Sequence, residues 1–248
     1  MGALDGSRDF ISVMEKMSSM SIWDRSTALN VDAAHRAFAM LICARVFVLK
    51  CLLEKIPPDT SVLTARRRWV LLQVIPPLDG IEDIFVIILG SLRAANKTDM
   101  MDFTKSMLRD MRERFGPSFF PQKGLFAVVD EAQRAAEYLN EAFRSTTTET
   151  ETRPVLYPFF SFLWNSELFE GVILAGTGLS MKMVRTSTAS QGGKFLGFRR
   201  NPIVFVDVGQ FPKDGEEHKD YIKKFLPLPK GVSTDRLRER ILYWFHGR

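Results

Sequence analysis

The chain has 248 residues, 46% of them hydrophobic and 25% charged, and a formal net charge of +5 at pH 7. This composition excludes a disordered or low-complexity protein, and the length suits one domain or two small ones. Cys43 and Cys51 are the only cysteines, and their spacing matches neither a metal knuckle nor a redox pair. The polar N-terminus and the absence of a bilayer-length apolar run predict an intracellular protein, in cytoplasm or nucleus, without signal peptide or membrane partner.

The predicted elements alternate between helices and strand-like apolar runs. Residues 1–30 have weak periodicity and are predicted to be loosely ordered, before a single domain over residues 31–248. Helical spacing predicts helices at residues 32–53, 83–92 and 99–114, and after Pro154. Continuous apolar runs predict buried strands at residues 69–75, 125–129, 171–175 and 202–208. This alternation indicates an α/β fold: a mostly parallel sheet with helices on both faces.

Two carboxylates end the predicted strand at residues 125–129. Asp130 and Glu131 follow it directly, and residues 132–139 are rich in helix formers. In an open parallel sheet, ligands bind at the carboxyl ends of the strands. There, Asp130 would hold Mg²⁺ directly or through water, and Glu131 would polarise a water aimed at a phosphate. The alternative is a strand followed by the acidic N-terminus of a helix, where carboxylates are favoured without any ligand.

The next predicted strand ends in Gly176-Thr177-Gly178. In nucleotide-hydrolysing folds, the strand after the acid-bearing one often ends in a polar residue that contacts the γ-phosphate or the attacking water. Thr177 suits this role because the flanking glycines let the backbone come close and its hydroxyl donates or accepts a hydrogen bond. An incidental threonine in a turn is the alternative. The order of the two strand ends along the chain favours a nucleotide site.

Further short segments complete a pattern that spans most of the chain. They are residues 41–45, 69–76, 83–85, 128–133, 142–145, 153–156, 174–180, 221–227 and 244–248. With these segments the chain resembles the ATPase domain of a family of fungal proteins related to Crinkler and retrotransposon-hot-spot effectors. Asp-Glu-Ala-Gln at residues 130–133, followed by Gly-Thr-Gly-Leu-Ser at residues 176–180, is the most specific part. The resemblance implies a P-loop ATPase fold of the AAA+ and signal-transduction kind, with ATP and Mg²⁺ as cofactors.

The resemblance also implies roles for individual residues. Asp130 would be the Mg²⁺ acid, Glu131 the base that activates water, and Thr177 the phosphate sensor. Arg248, the first arginine of a Gly-Arg-x-Arg-Phe pattern, would contact the nucleotide. Gly176 and Gly178 would line the nucleotide beside the sensor.

The chain departs from this family in one respect, because no G-x-x-x-x-G-K-[ST] segment occurs in it. We therefore predict a P-loop NTPase-like core without its first strand and P-loop, belonging to a nucleotide-dependent switch or remodelling protein and inactive alone. Two alternatives are a non-enzymatic interaction module that keeps the fold and a nucleic-acid helicase fragment. The expected partners are nucleotide, if a P-loop is supplied, and an unidentified protein. The basic patches at residues 66–68 and 194–200 leave nucleic acid open.

Overall fold

The computed structural model describes residues 8–19, 27–57, 59–74, 83–119, 125–139, 141–144 and 152–176, together with residues 184, 220, 231, 235 and 236. The chain divides into two compact units, Met1–Gly197 and Phe198–Arg248. All of the elements named below belong to the first unit. In the second unit, the Asp235 N–H donates to the Gly231 carbonyl at 3.0 Å.

The described part of the chain is 72% helical, and its only parallel sheet is a short strand pair. The predicted α/β fold, a mostly parallel sheet with helices on both faces that forms a P-loop NTPase-like core, is therefore wrong. The described helices are α1 (Arg8–Ser19), α2 (Thr27–Lys55), α3 (Val62–Val74), α4 (Ile84–Ser91), α5 (Lys97–Phe119), α6 (Ala132–Glu137) and α7 (Leu156–Asn165). The described strands are β1 (Leu125–Val129), β2 (Phe143–Arg144), β3 (Thr152–Arg153) and β4 (Phe169–Leu174). None of these helices is both long and apolar enough to cross a membrane.

The long helix α2 forms the centre of the fold. It packs against α1, α4, α5 and α7, and every residue from 38 to 46 is buried. Because these nine consecutive residues point in all directions around the helix axis, α2 is covered by its neighbours on every side. The Phe38 ring lies 4.6 Å from the Phe159 ring of α7. These contacts confirm the helix predicted at residues 32–53 and make it the main core element.

A buried ion pair joins α1 to α2. The Asp9 carboxylate accepts two hydrogen bonds from Arg45, from Nε and from Nη2, each 2.8 Å long. Arg45 also donates from Nη1 to the Gln73 side chain of α3 at 3.0 Å, and its guanidinium lies 5.0 Å from the centre of the Phe85 ring in α4. Helix α1 falls within residues 1–30, which were expected to be loosely ordered. Its apolar residues at helical spacing are buried: Phe10, Val13, Met14 and Met17.

The helices α4, α5 and α7 confirm the other helix predictions. Asp83 caps α4, because its carboxylate accepts the Phe85 N–H at 2.8 Å. Asn96 does the same for α5, accepting the Asp99 N–H at 2.8 Å. Gly116 interrupts α5 with a φ of 67° and a ψ of −175°, just before Pro117. Glycine adopts this left-handed φ without a Cβ clash, so the kink lies where the sequence allows it.

In place of the strand predicted at residues 69–75, residues 69–74 form the second half of α3, and residue 75 lies outside the described residues. The residues before the apolar run, 62–68, include leucine, alanine and three arginines, all of which favour helix. Ser61 caps this longer segment, since its hydroxyl accepts the Thr64 N–H at 3.1 Å. The prediction assumed burial on both faces, whereas Ala65 is the only fully buried residue of α3 among those whose burial is described.

The strands β1 and β4 pair in parallel, with Ala127 opposite Val172 and Val129 opposite Leu174. This pairing confirms the parallel arrangement predicted for these two runs. The predicted burial on both faces is wrong, because Phe126 is 61% exposed and Ile173 50% exposed. A second, antiparallel pair joins β2 to β3. The strand predicted at residues 202–208 lies outside the described residues.

Candidate functional site

The carboxyl ends of β1 and β4 lie side by side. The Ala175 N–H donates to the Val129 carbonyl at 2.9 Å, and the Ala132 N–H donates to the Ala175 carbonyl at 2.8 Å. Strand pairing is thereby extended past the last residue of each strand and into the first turn of α6. The structure therefore brings Asp130 and Glu131 to the same edge as Gly176.

Asp130 is half-buried at the point where β1 ends. Its Oδ1 accepts the backbone N–H of Glu131 at 3.0 Å, which fixes the carboxylate against the chain that follows it. A carboxylate has two oxygens and about four lone-pair sites in all. Asp130 therefore keeps acceptor capacity for a cation or a water in addition to this backbone contact.

Glu131 precedes α6 with a left-handed backbone, at φ 54° and ψ 38°. Positive φ is uncommon for residues other than glycine, and side chains held in this way cluster at functional sites. Here the conformation turns the chain sharply from β1 into α6 and leaves a glutamate at the corner. This outlier marks Glu131 as a residue whose placement the fold maintains at some conformational cost.

Gln133 links the two strand ends. Its Nε2 donates to Oε2 of Glu131, and a Cβ added at Gly176 would lie only 1.9 Å from Gln133 Oε1. The Gln133 amide therefore occupies the space that a side chain at residue 176 would need. Its Oε1 is buried and has no hydrogen-bond partner among the described residues. Glycine at residue 176 lets Gln133 reach Glu131 from the β4 side.

Gln133 has no role of its own in the nucleotide site predicted from the sequence, where it is the last residue of the Asp-Glu-Ala-Gln motif. The available signal was its position in the first turn of a helix, where a long polar side chain can turn back toward the preceding residues. The close approach to Gly176 depends on strand pairing, which no local pattern reports.

The residues at this edge can coordinate Mg²⁺ only together with the oxygens of a phosphate ligand. No group of three or more His, Cys, Asp or Glu side chains able to hold a metal ion is found in the part of the chain that the structure describes. Mg²⁺ bound with a nucleotide keeps several waters and uses one or two carboxylates plus phosphate oxygens. Asp130 offers one such carboxylate, which is enough for an ion shared with a phosphate ligand and too few for an all-protein metal cage.

The remaining predicted site residues lie outside the described residues. These are Thr177 and Gly178, which follow Gly176 in the sequence, and Arg248. The basic patch at residues 194–200 also lies there. The other basic patch, residues 66–68, is exposed on α3.

Comparison of the chain with protein-family models, with curated proteins and with solved structures finds no match. The geometry of the two strand ends is therefore the basis on which a function can be assigned.

Proposed function

We propose that the carboxyl edge of β1 and β4 binds a magnesium–nucleotide complex, and that the chain is part of a nucleotide-dependent switch or remodelling ATPase. The observation that carries this proposal is the parallel pairing of the two strands. It brings the acid pair Asp130-Glu131 to the same edge as Gly176, which is the residue before Thr177. In open parallel sheets, ligands bind at the carboxyl ends of the strands.

The two acids have different tasks in this proposal. Asp130 would hold Mg²⁺, directly or through water, and the ion would neutralise charge on the phosphates. Glu131 would accept a proton from the attacking water as a general base. The hydrogen bond from Gln133 orients the Glu131 carboxylate and leaves it lone pairs for that water.

Phosphate binding is the weak part of this site. In P-loop NTPases, most of the grip on the β- and γ-phosphates comes from a cradle of backbone N–H groups and a lysine. The sequence contains no G-x-x-x-x-G-K-[ST] segment that would build this cradle. We therefore expect the chain alone to bind nucleotide weakly and to hydrolyse none, because acids cannot position a triphosphate by themselves.

Calorimetric titration with ATP, in the presence and absence of Mg²⁺, tests this proposal. We expect Mg²⁺-dependent binding to the wild-type chain with a Kd of roughly 0.1–1 mM. Asp130→Asn should weaken binding about tenfold and remove its dependence on Mg²⁺, because an amide is a poorer Mg²⁺ ligand. Glu131→Gln should bind as the wild type does. Asp102→Asn, at an exposed carboxylate of α5, is the matched control and should have no effect.

Phosphate release is measured on the same variants. We expect no phosphate release above background from any of them. Once a phosphate-binding segment is supplied, the wild type should hydrolyse ATP, and Glu131→Gln should abolish this hydrolysis. Mg²⁺-independent ATP binding that Asp130→Asn leaves unchanged would place the nucleotide elsewhere. Hydrolysis that persists in Glu131→Gln would assign the base to a different residue.

A further inference from the structure

Helix α3 is attached to the rest of the protein along one side. Ala65 is 2% exposed, the Trp69 ring meets the Phe85 ring edge-on at 6.1 Å, and Gln73 accepts a hydrogen bond from Arg45. Ala65, Trp69 and Gln73 are spaced four apart, so they lie on one face of the helix. This inner face fixes the direction in which the rest of α3 points.

The outer face of α3 carries aliphatic side chains that are exposed. Leu63 is 58% exposed, Val70 54% and Leu71 50%. On the surface of a protein, a group of exposed aliphatic side chains rimmed by polar ones marks an interaction site more often than scattered single ones do. An isolated helix as short as α3 is marginal in water, so contacts on this face would also stabilise it.

The three arginines of α3 alternate with these aliphatic residues around the helix. At about 100° a residue, Leu63 and Val70 fall between Arg66 and Arg67, and Leu71 falls between Arg67 and Arg68. Arg67 lies almost opposite the inner face. Helix α3 contains no acidic residue, and no ion pair involves Arg67 or Arg68 among the described residues.

We propose that the outer face of α3, formed by Leu63, Arg67, Arg68, Val70 and Leu71, docks an acidic amphipathic helix of another protein. Arg66 lies beside the inner face, where its Nη2 donates to the Phe119 carbonyl at 3.5 Å. This inference is independent of the nucleotide site. A partner helix with aliphatic side chains flanked by carboxylates would cover Leu63, Val70 and Leu71 and pair with Arg67 and Arg68 in one step.

The arrangement of charge favours this occupant over two others. A helix that lies on a membrane separates its apolar face from its charged face, whereas on α3 Arg67 stands in the middle of the apolar residues and would point at the hydrocarbon. Nucleic acid would satisfy the arginines through its phosphates but would leave the aliphatic side chains without an apolar partner. An acidic amphipathic helix matches both kinds of side chain.

The probe for this surface is a labelled synthetic helical peptide of roughly 20 residues, long enough to be helical, with a leucine face flanked by glutamates. Fluorescence anisotropy should show saturable binding to the full chain. Arg67→Glu should weaken it at least tenfold, and so should Leu63→Ser combined with Val70→Ser. Arg112→Glu, at an exposed arginine of α5, is the matched control and should leave binding unchanged.

A charge swap separates pairing from a loss of fold. A peptide with lysine in place of each glutamate should bind Arg67→Glu better than it binds the wild type, which a misfolded variant cannot reproduce. The proposal is overturned if no acidic peptide binding saturates, or if a glutamine version of the peptide binds equally well. It is also overturned if phosphatidylserine vesicles or a single-stranded oligonucleotide, but not the peptide, bind in an Arg67-dependent way.

Discussion

The helices around α2 and the strand pair of β1 and β4 differ in how completely they cover their apolar side chains. In α7, all eight residues from Leu156 to Leu163 are buried, and so are residues 38–46 of α2. In the strand pair, Ala127 and Val129 are buried while Phe126 and Ile173 are exposed. The helical region therefore holds most of the stabilising contacts, and the candidate site lies on a small element that is covered on one face. Functional elements commonly come from the less stable parts of a fold.

Truncating one phenylalanine in each region should show this difference most strongly. Phe159 is fully buried, with its ring centre 4.6 Å from that of Phe38 and 5.5 Å from that of Phe10. We expect Phe159→Ala to lower the free energy of unfolding by about 3–5 kcal/mol. Phe126→Ala, at an exposed ring, should cost less than about 1 kcal/mol. Urea unfolding measures both, and equal losses would contradict the division into a stabilising region and a site region.

The helical region should also be the source of a sensitivity to acid, through His35. Burial, with a smaller contribution from Lys97, lowers the pKa of His35 from 6.5 to about 4, although Asp32 and a hydrogen bond with the Pro158 carbonyl oppose the shift. Between pH 6.5 and pH 4 the unfolded chain takes up a proton at this histidine and the folded chain does not. Stability therefore falls as the pH falls through this range.

His35→Gln tests this contribution, because glutamine keeps a hydrogen-bond donor and does not titrate. Between pH 7 and pH 5, the free energy of unfolding of the wild type should fall by about 1–2 kcal/mol more than that of His35→Gln. Urea unfolding at the two pH values gives the comparison. If both proteins lose the same amount, other groups are responsible for the acid sensitivity.

At the strand pair, Gly176→Ala should have a smaller effect on stability than Phe159→Ala. The added Cβ would lie 1.9 Å from Gln133 Oε1, so the glutamine side chain must move and give up its hydrogen bond to Glu131. Because that side chain is flexible, we expect a loss of about 1–2 kcal/mol.

A double-mutant cycle isolates this contact. In a Gln133→Ala background, Gly176→Ala should cost less than it does in the wild type, since only the Ala132 backbone N, 3.3 Å from the added Cβ, remains in close contact. Gly90→Ala, at the second-last residue of α4 where a Cβ meets nothing within 4 Å, is the matched control. Additive effects of the changes at residues 133 and 176 would show that the two side chains are not coupled.

The fold could be predicted from the sequence only where the apolar pattern is compatible with a single type of secondary structure. The spacing over residues 32–53 fits a helix alone, and α2 is found there. The apolar runs at residues 69–75 and 125–129 look alike, yet residues 69–74 of the first are helix and the second is strand. A short apolar run is compatible with both, and the neighbours decide: helix formers extend the first to 13 residues, whereas β4 is available to pair with the second.

The candidate site could be predicted in part for the same reason. Asp130 and Glu131 follow a strand, and their position at its end is a local property that the sequence carries. That Gly176 lies beside Gln133 is a consequence of pairing between β1 and β4, which are distant in sequence. The exposed face of the strand pair was also not predictable, because apolar composition alone does not say which side of a strand a helix will cover.

The most direct test of the nucleotide site is to locate a bound metal–nucleotide by NMR. Mn²⁺ replaces Mg²⁺ in complexes with ATP, and its unpaired electrons broaden the signals of nearby protons. In an assigned spectrum of the labelled chain, Mn²⁺–ATP should broaden the amide signals of Asp130, Glu131 and Gly176 before those of α1 and α5, and Asp130→Asn should abolish this preference. Broadening that is strongest elsewhere, or that Asp130→Asn leaves unchanged, would contradict a nucleotide site at the ends of β1 and β4.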